Sequence, residues 1–243
     1  MTVIEQFRTA LAASAAQLPG PELLPERLAR ACARALPIDG AGISLFFADD
    51  RRLPLGASDP SSAEAERLQF TVGEGPCLAA HAEGRPLLAD EATLRSRWPA
   101  FYDCLVGTTR IRATLSLPLA DHLQDIGALD LYLVPPHDPG ALCLADVEAV
   151  TREVGAAFGV ANGRGGQPDG PAWLDAPGAA RRATVWQALG MVNAALRLSS
   201  ADALAVLRAH AYGTGTSLDD LASRVVDRQV SMADLGLDTD QTR

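Results

Sequence analysis

The chain has 243 residues, of which 48% are hydrophobic, so it has ample material for a folded core. This length exceeds that of a typical single domain, and we expect two. No apolar run approaches the roughly 20 residues that a membrane-spanning helix needs. Glu5 and Arg8 interrupt what would have to be a secretory signal. We therefore expect a cytoplasmic protein with no membrane partner.

The charge of the chain is distributed unevenly. The net charge is −9, and residues 1–170 carry 22 acidic residues against 14 arginines, whereas residues 181–230 carry four against six. Because phosphate is bound by cations, a nucleic-acid partner must contact the C-terminal part. All 21 basic residues are arginine, a pattern that codon bias produces without selection for binding.

Cysteine and histidine give no indication of a metal or redox cofactor. The four cysteines are far apart in sequence and form no CxxC motif, so neither a zinc site nor a disulfide framework is predicted. The histidines have no metal-ligand spacing either. We expect no metal and no cofactor.

The first 162 residues alternate helical and strand patterns. Two N-terminal helices are predicted, the first with an apolar face of Ile4, Phe7, Leu11 and Leu18. Two strand pairs follow, at residues 43–57 and 111–134, with turns at 49–52 and 121–125, and a helix around 147–158 closes the region. This order predicts an α+β domain with one central antiparallel sheet. We also expect a homodimer, in which the first and last of these helices could form a bundle between chains.

Residues 163–178 are rich in glycine and proline and are interpreted as a linker. Three short amphipathic helices follow within 179–243. The second and third begin at S-x-x-D capping boxes, Ser199–Asp202 and Ser217–Asp220. We therefore predict an all-α C-terminal domain.

Five segments of the first domain resemble the GAF domains of actinobacterial regulators over residues 20–162: Gly40–Leu45, Val72–Cys77, Arg97–Pro99, Ser116–Leu119 and Ile126–Tyr132. The resemblance implies a six-stranded antiparallel sheet with a pocket for a small ligand, or a dimerisation role. The Asn-Lys-x-Phe-Asp-Glu motif of the cyclic-nucleotide-binding relatives is absent. Gly73–Cys77 predicts a tight turn into a helix, whose N-terminus could hold an anion or lower the pKa of Cys77. Glu74, Cys77 and His81 are the candidate pocket residues.

The C-terminal helices are similar to the ANTAR domain of transcription antitermination regulators, through Gln187–Val192, Ala203–Ala211 and Leu221–Val226. This resemblance implies a three-helix module that binds paired RNA stem-loops in nascent leader transcripts. The residues predicted to bind RNA, within or flanking the matching motifs, are Arg181, Arg182, Ala188, Gly190, Arg208 and Arg224. The family's usual Ala-Lys-Gly is Ala188-Leu189-Gly190 here, which removes a cation. Leu189→Lys should strengthen RNA binding if this position faces phosphate, and should destabilise the protein if Leu189 belongs to the core.

Together the two resemblances imply a non-enzymatic, dimeric regulator. Its first domain would sense a small ligand or a redox signal, and its second would bind RNA and control transcription termination. Two alternatives remain open. One is a GAF-type thiol enzyme such as free methionine sulfoxide reductase, with Cys77 and Cys104 acting together. The other is a dimerisation scaffold that has lost RNA binding.

Overall fold

The computed structural model of the chain describes residues 1–47, 52–119, 123, 126–164 and 171–235. Its contacts divide the chain into two compact units. The first unit comprises Met1–Gln69 and Glu74–Ala179, and the second comprises Phe70–Gly73 and Ala180–Arg243. Within the predicted linker, residues 165–170 lie outside the described residues, as do turn residues 49–51 and most of 121–125.

The first unit is built on an antiparallel sheet with the strand order β2-β1-β5-β4-β3. Its strands are β1 (Gly40–Phe46), β2 (Arg52–Ala57), β3 (Leu87–Ala89), β4 (Ala113–Pro118) and β5 (Gly127–Leu133). Both predicted strand pairs are therefore confirmed. The GAF-like resemblance implied six strands, and the described residues contain five.

Seven α-helices lie wholly or mostly in the described part of the first unit: α1 (Val3–Gln17), α2 (Leu24–Ala35), α3 (Pro60–Val72), α4 (Pro76–Glu83), α5 (Glu91–Arg97), α6 (Pro99–Thr108) and α7 (Leu144–Arg164). The first begins at a capping box, since Thr2 accepts a hydrogen bond from the Glu5 N–H and the Glu5 side chain bonds back to the Thr2 N–H.

The two faces of the sheet differ in chemistry. One face is apolar and packs against α1, α2 and α7, with Ile43, Leu131, Phe7, Leu28 and Phe158 in a shared core. The other face carries polar side chains that are nevertheless buried, and α3 and α4 contribute to its cover. Burial of polar groups on this scale requires that they hydrogen-bond one another.

The helices of the predicted inter-chain bundle also pack within a single chain. Phe7 of α1 is 1% exposed, and Val147, Val150, Val154 and Phe158 of α7 are fully buried. These side chains lie in the core of a single chain, where α1 packs against α2 and α7. The other residues of the predicted α1 face, Ile4, Leu11 and Leu18, are only half-buried, so pairing of chains through α1 stays a prediction.

The second unit is helical, as predicted. It contains most of α8 (Pro177–Leu196), together with α9 (Ser200–Gly213), α10 (Leu218–Val226) and a short, unpredicted α11 (Met232–Leu235). Both capping predictions are confirmed, since Ser199 accepts from the Asp202 N–H at 3.1 Å and Ser217 from the Asp220 N–H at 3.0 Å. One apolar cluster joins these helices and includes Phe70, Val185, Leu189, Leu207 and Leu221.

Candidate functional sites

The buried polar face of the sheet centres on an ion pair between Arg52 of β2 and Glu66 of α3. These side chains are 1% and 2% exposed. Glu66 also accepts hydrogen bonds from Ser44 Oγ at 2.7 Å and from Tyr132 Oη at 2.6 Å, while Arg52 donates to the Glu66 carbonyl at 2.7 Å. Both oxygens of the carboxylate and its backbone carbonyl are thus satisfied without water.

A second carboxyl group, that of Asp130, adjoins this pair from β5. Its oxygens accept hydrogen bonds from Ser116 Oγ and from Gln69 Nε2, the latter at 3.3 Å, and one of them lies 3.5 Å from the Arg52 guanidinium. Gly42 leaves the space that Glu66 occupies, because a Cβ built there would overlap Glu66 Oε1. We call Ser44, Arg52, Glu66, Gln69, Ser116, Asp130 and Tyr132 the buried polar network.

Burial and mutual charge set the protonation of this network. Burial alone would raise the pKa of Glu66, but the Arg52 guanidinium and its hydrogen-bond donors lower it. Burial, reinforced by the negative charge of Glu66, raises the pKa of Asp130 to about 8. These opposite shifts favour Glu66 as the anion that pairs with Arg52 and Asp130 as the carboxyl that keeps its proton.

Cys77 borders the network but is not activated as a nucleophile. Its Sγ lies 3.4 Å from an Arg52 nitrogen, yet burial raises the pKa of the thiol well above 9.0. The expectation that the helix N-terminus lowers this pKa is therefore wrong, because desolvation outweighs the nearby cation. One N–H of this N-terminus already has a partner, since Gln69 Oε1 accepts the Cys77 N–H at 2.8 Å. Cys104 is a free, partly exposed thiol on α6.

The other two predicted pocket residues face different neighbours. Glu74 accepts the Phe101 N–H at 3.1 Å, at the start of α6. The His81 ring stacks on Phe46, with centroids 3.8 Å apart. Phe46 also packs with Cys77, so Cys77 and His81 both contact one aromatic side chain, whereas Glu74 bonds to the start of α6.

Sequence reasoning missed the buried polar network. Its members are spread over four strands and a helix, and Thr114 and Ser116 of β4 alternate with leucine as in a half-exposed strand. The available signal was Asp130, a carboxylate between Leu129 and Leu131 in a strand that is buried throughout.

The arginines predicted to bind RNA fall into two groups. Arg181 on α8 and Arg224 on α10 are exposed. Arg182 is 2% exposed, lies over the Phe70 ring at 3.7 Å and pairs with Asp219 at 3.2 Å. Arg208 is half-buried and donates to the Phe70 carbonyl at 3.0 Å. Arg182 and Arg208 thus have partners inside the second unit.

The Ala188-Leu189-Gly190 segment lies mainly in the core. Ala188 is fully buried and Leu189 is 6% exposed, both within the apolar cluster of the second unit, whereas Gly190 is exposed. The hypothesis that position 189 faces phosphate is therefore wrong for this chain, because its side chain points into the helical core.

Within the described ranges, no three His, Cys, Asp or Glu side chains come together as a metal site would require. In the same residues, no helix is long and apolar enough to cross a membrane.

Comparison with known proteins assigns the C-terminal segment. Residues 179–226 match the ANTAR domain model, so the second unit carries an ANTAR domain. No curated protein matches the chain. Among solved structures, it is similar to the GAF domain of a phosphoenolpyruvate-protein phosphotransferase from Coxiella burnetii, with 16% identity and a TM-score of 0.47 over 69% of this chain and 98% of that one. It is also similar to free methionine-R-sulfoxide reductase from Neisseria meningitidis, with 16% identity and a TM-score of 0.43 over 65% of this chain and 92% of that one.

Proposed function

We propose that this chain is a cytoplasmic regulator that binds RNA stem-loops in nascent transcripts and controls transcription termination. The observation that carries the proposal is the ANTAR domain at residues 179–226. The charge distribution supports it, because residues 181–230 have more arginines than acidic residues in an otherwise acidic chain. Two of the predicted RNA-binding arginines, Arg181 and Arg224, are exposed and can reach phosphate.

The first unit is proposed as the sensor. Its sheet buries a polar network around an ion pair, and buried ion pairs often add little stability compared with an apolar core, so we interpret the network as serving function. We favour a small polar ligand as the signal over thiol oxidation, because Cys77 is fully buried and burial raises its pKa.

RNA binding is tested with the full chain. A pool of tandem RNA hairpins with randomised loops is selected against the protein, and the enriched RNA is used in gel shifts at several salt concentrations. We expect log K to fall against log salt with a slope of about −1.5 to −3.5 per protomer, as two to four phosphate contacts predict. Enrichment of no hairpin, or a slope near zero, contradicts the proposal and favours the scaffold alternative.

Two variants locate the surface. Arg181→Ala should weaken binding several-fold and leave the Tm unchanged, since Arg181 is exposed. Arg34→Ala, which removes an exposed arginine of the first unit, is the matched control and should bind as the wild type does. In transcription through a terminator that overlaps the selected hairpins, adding the protein should change read-through.

The enzymatic alternative has a direct test. Free methionine-R-sulfoxide is incubated with the protein and a dithiol reductant, and methionine formation is measured. We expect none, because the Cys77 thiol is buried and protonated. Turnover that Cys77→Ser abolishes would establish the thiol enzyme instead.

A further inference from the structure

The second unit contains an open groove, and none of the RNA-binding residues predicted from sequence lines it. It has a volume of about 550 Å³ and lies among α8, α10 and α11. Its lining is apolar apart from one serine and one arginine: Met191, Ala194, Ala195, Val225, Arg228, Val230, Ser231 and Met232. This volume is within the range of small-molecule sites, and the groove has a single cationic side chain.

Arg228 has a backbone conformation that normally selects glycine. Its φ is +58°, and it follows the C-terminus of α10, where the Arg228 N–H bonds to the Val225 carbonyl and the Gln229 N–H to the Arg224 carbonyl. These two bonds define a Schellman motif, whose left-handed position is usually glycine. A side chain there costs of order 1 kcal/mol or more.

Folding alone does not account for an arginine at this position. A cation near a helix C-terminus is stabilising, but Arg224 already provides one in the last turn of α10. Left-handed residues other than glycine are concentrated at functional sites, and of the two left-handed arginines, Arg197 and Arg228, only Arg228 lines the groove. Arg228 therefore adds one cation to a groove lined almost entirely by apolar side chains, which fits a ligand with an apolar part and an anionic group.

The groove has the electrostatics for such a ligand. None of the described residues that line it is acidic. The nearest acidic side chain along α11, that of Asp234, is directed at the Ser231 N–H, 3.4 Å away. Met191 and Met232 offer polarisable sulfur atoms, which make favourable contacts with aromatic rings, and the two alanines leave room for a ring.

We propose that this groove receives one unpaired nucleobase from the loop of a bound RNA hairpin, while Arg228 contacts a phosphate next to that base. The proposal rests on the proposed RNA-binding function and identifies the surface and the chemical group that it recognises. An inserted base would be held by stacking and apolar contact, which tolerate several base types, and the phosphate contact would fix its register.

The cation is tested by Arg228→Gly in the full chain, with the enriched tandem-hairpin RNA as probe. We expect affinity to fall about 10-fold or more. The slope of log K against log salt should become shallower by about 0.7, as the loss of one phosphate contact to single-stranded RNA predicts. The Tm should stay the same or rise, because glycine suits the left-handed backbone. Reduced binding with undiminished stability separates a functional arginine from a structural one.

Arg197→Gly is the matched control, because Arg197 is also exposed and has a φ of +56° but does not line the groove. It should change affinity by less than 3-fold. Equal losses in the two variants would show a general charge effect and overturn the groove assignment, as would unchanged affinity in Arg228→Gly.

Insertion of a nucleobase is tested in two ways: by filling the groove with a larger side chain, and by removing single bases from the RNA loop. Ala195→Phe places a ring in the groove from an exposed position, and Ala205→Phe adds the same ring at an exposed position of α9 outside it. On the wild type, an abasic substitution at one loop position should reduce affinity roughly 5- to 150-fold. On Ala195→Phe the same abasic RNA should bind no worse than the intact RNA, whereas Ala205→Phe should behave as the wild type.

The outcomes separate this inference from the proposed function. Failure of the wild type to bind any selected hairpin refutes both. If the wild type binds but Ala195→Phe, Arg228→Gly and every abasic RNA leave affinity unchanged, RNA binding stands and the groove serves another partner, such as an apolar protein segment.

Discussion

At the scale of single residues, burial decides which of the predicted RNA-binding positions can meet RNA. Arg182 is closed in by Phe70 and Asp219, so its charge is used inside the fold. Arg181, its neighbour in sequence, is exposed on the same helix. Adjacent positions on a helix point about 100° apart, and one arginine of this pair therefore lies in the interior while the other faces solvent.

Position 189 gives a prediction at this scale. Leu189→Lys should destabilise the second unit by at least 2 kcal/mol, since it removes a buried leucine and places an ammonium group in an apolar cluster. Urea unfolding of the full chain measures the change. Gln187→Lys adds the same charge at an exposed position of α8 and should change stability by less than 0.5 kcal/mol. Stronger RNA binding at undiminished stability in Leu189→Lys would show that this side chain faces outward.

At the scale of elements, the two-faced sheet is the main feature of the first unit. Alternation along β1, β4 and β5 sends leucine and isoleucine to one face and Ser44, Ser116 and Asp130 to the other. Since both faces are covered, the polar groups bond mainly to one another, and among the described residues of this face only Arg52 Nε and Thr114 Oγ1 are buried without a hydrogen-bond partner. Glu66 and Gln69 of α3 provide the partners.

The pH dependence of stability tests the protonation of this face. The pKa of Asp130 in the folded chain is about 8 against 3.8 for an ordinary aspartate, so the folded state binds the extra proton between these values. Its stabilising contribution is fully present below about pH 3.8 and is lost as the pH rises through 8. The pKa of Glu66 is lowered below its ordinary 4.5, so its contribution to stability changes only below that pH. There the contribution is lost as the pH falls, which is the opposite direction to that of Asp130.

We therefore expect wild-type stability to fall between pH 5 and pH 8 by up to about 1.4 kcal/mol per pH unit from this group, measured by urea unfolding. Asp130→Asn keeps the shape of the neutral acid and should flatten this dependence. Asp103→Asn, at an exposed position of α6, should leave it unchanged. An identical pH profile for Asp130→Asn and the wild type would show that Asp130 is ionised at neutral pH.

At the scale of the whole molecule, the charge distribution and the oligomeric state determine how RNA would be bound. The acidic first unit repels phosphate, so affinity must come from a few exposed arginines in each second unit. A small set of contacts gives weak binding to one hairpin. A dimer that engages two linked hairpins converts the second contact into an intramolecular one.

The full chain should accordingly sediment as a dimer and should bind a two-hairpin RNA at least 10-fold more tightly than either hairpin alone. Lengthening the spacer between the hairpins well beyond its selected length should reduce this advantage. Analytical ultracentrifugation and gel shifts measure the two quantities. Equal affinity for one and two hairpins would mean that each chain binds RNA independently.

Periodicity and capping residues allowed much of the fold to be predicted from the sequence. The strand pairs, the helical second unit and the caps at Ser199 and Ser217 follow from local patterns, because alternation and capping involve residues close in sequence. The motifs at Gln187–Val192 and Ala203–Ala211 likewise indicated the ANTAR domain that the comparison confirms.

Only the tertiary structure decided which polar residues are buried and what they contact. Arg52, Glu66 and Asp130 come from β2, α3 and β5, and nothing in their local sequence indicates that they meet. Arg182 has the same helical surroundings in sequence as Arg181, yet packing against Phe70 and Asp219 buries it. Local sequence determines secondary structure through short-range geometry, whereas burial, and with it pKa and access to RNA, depends on residues far apart in the chain.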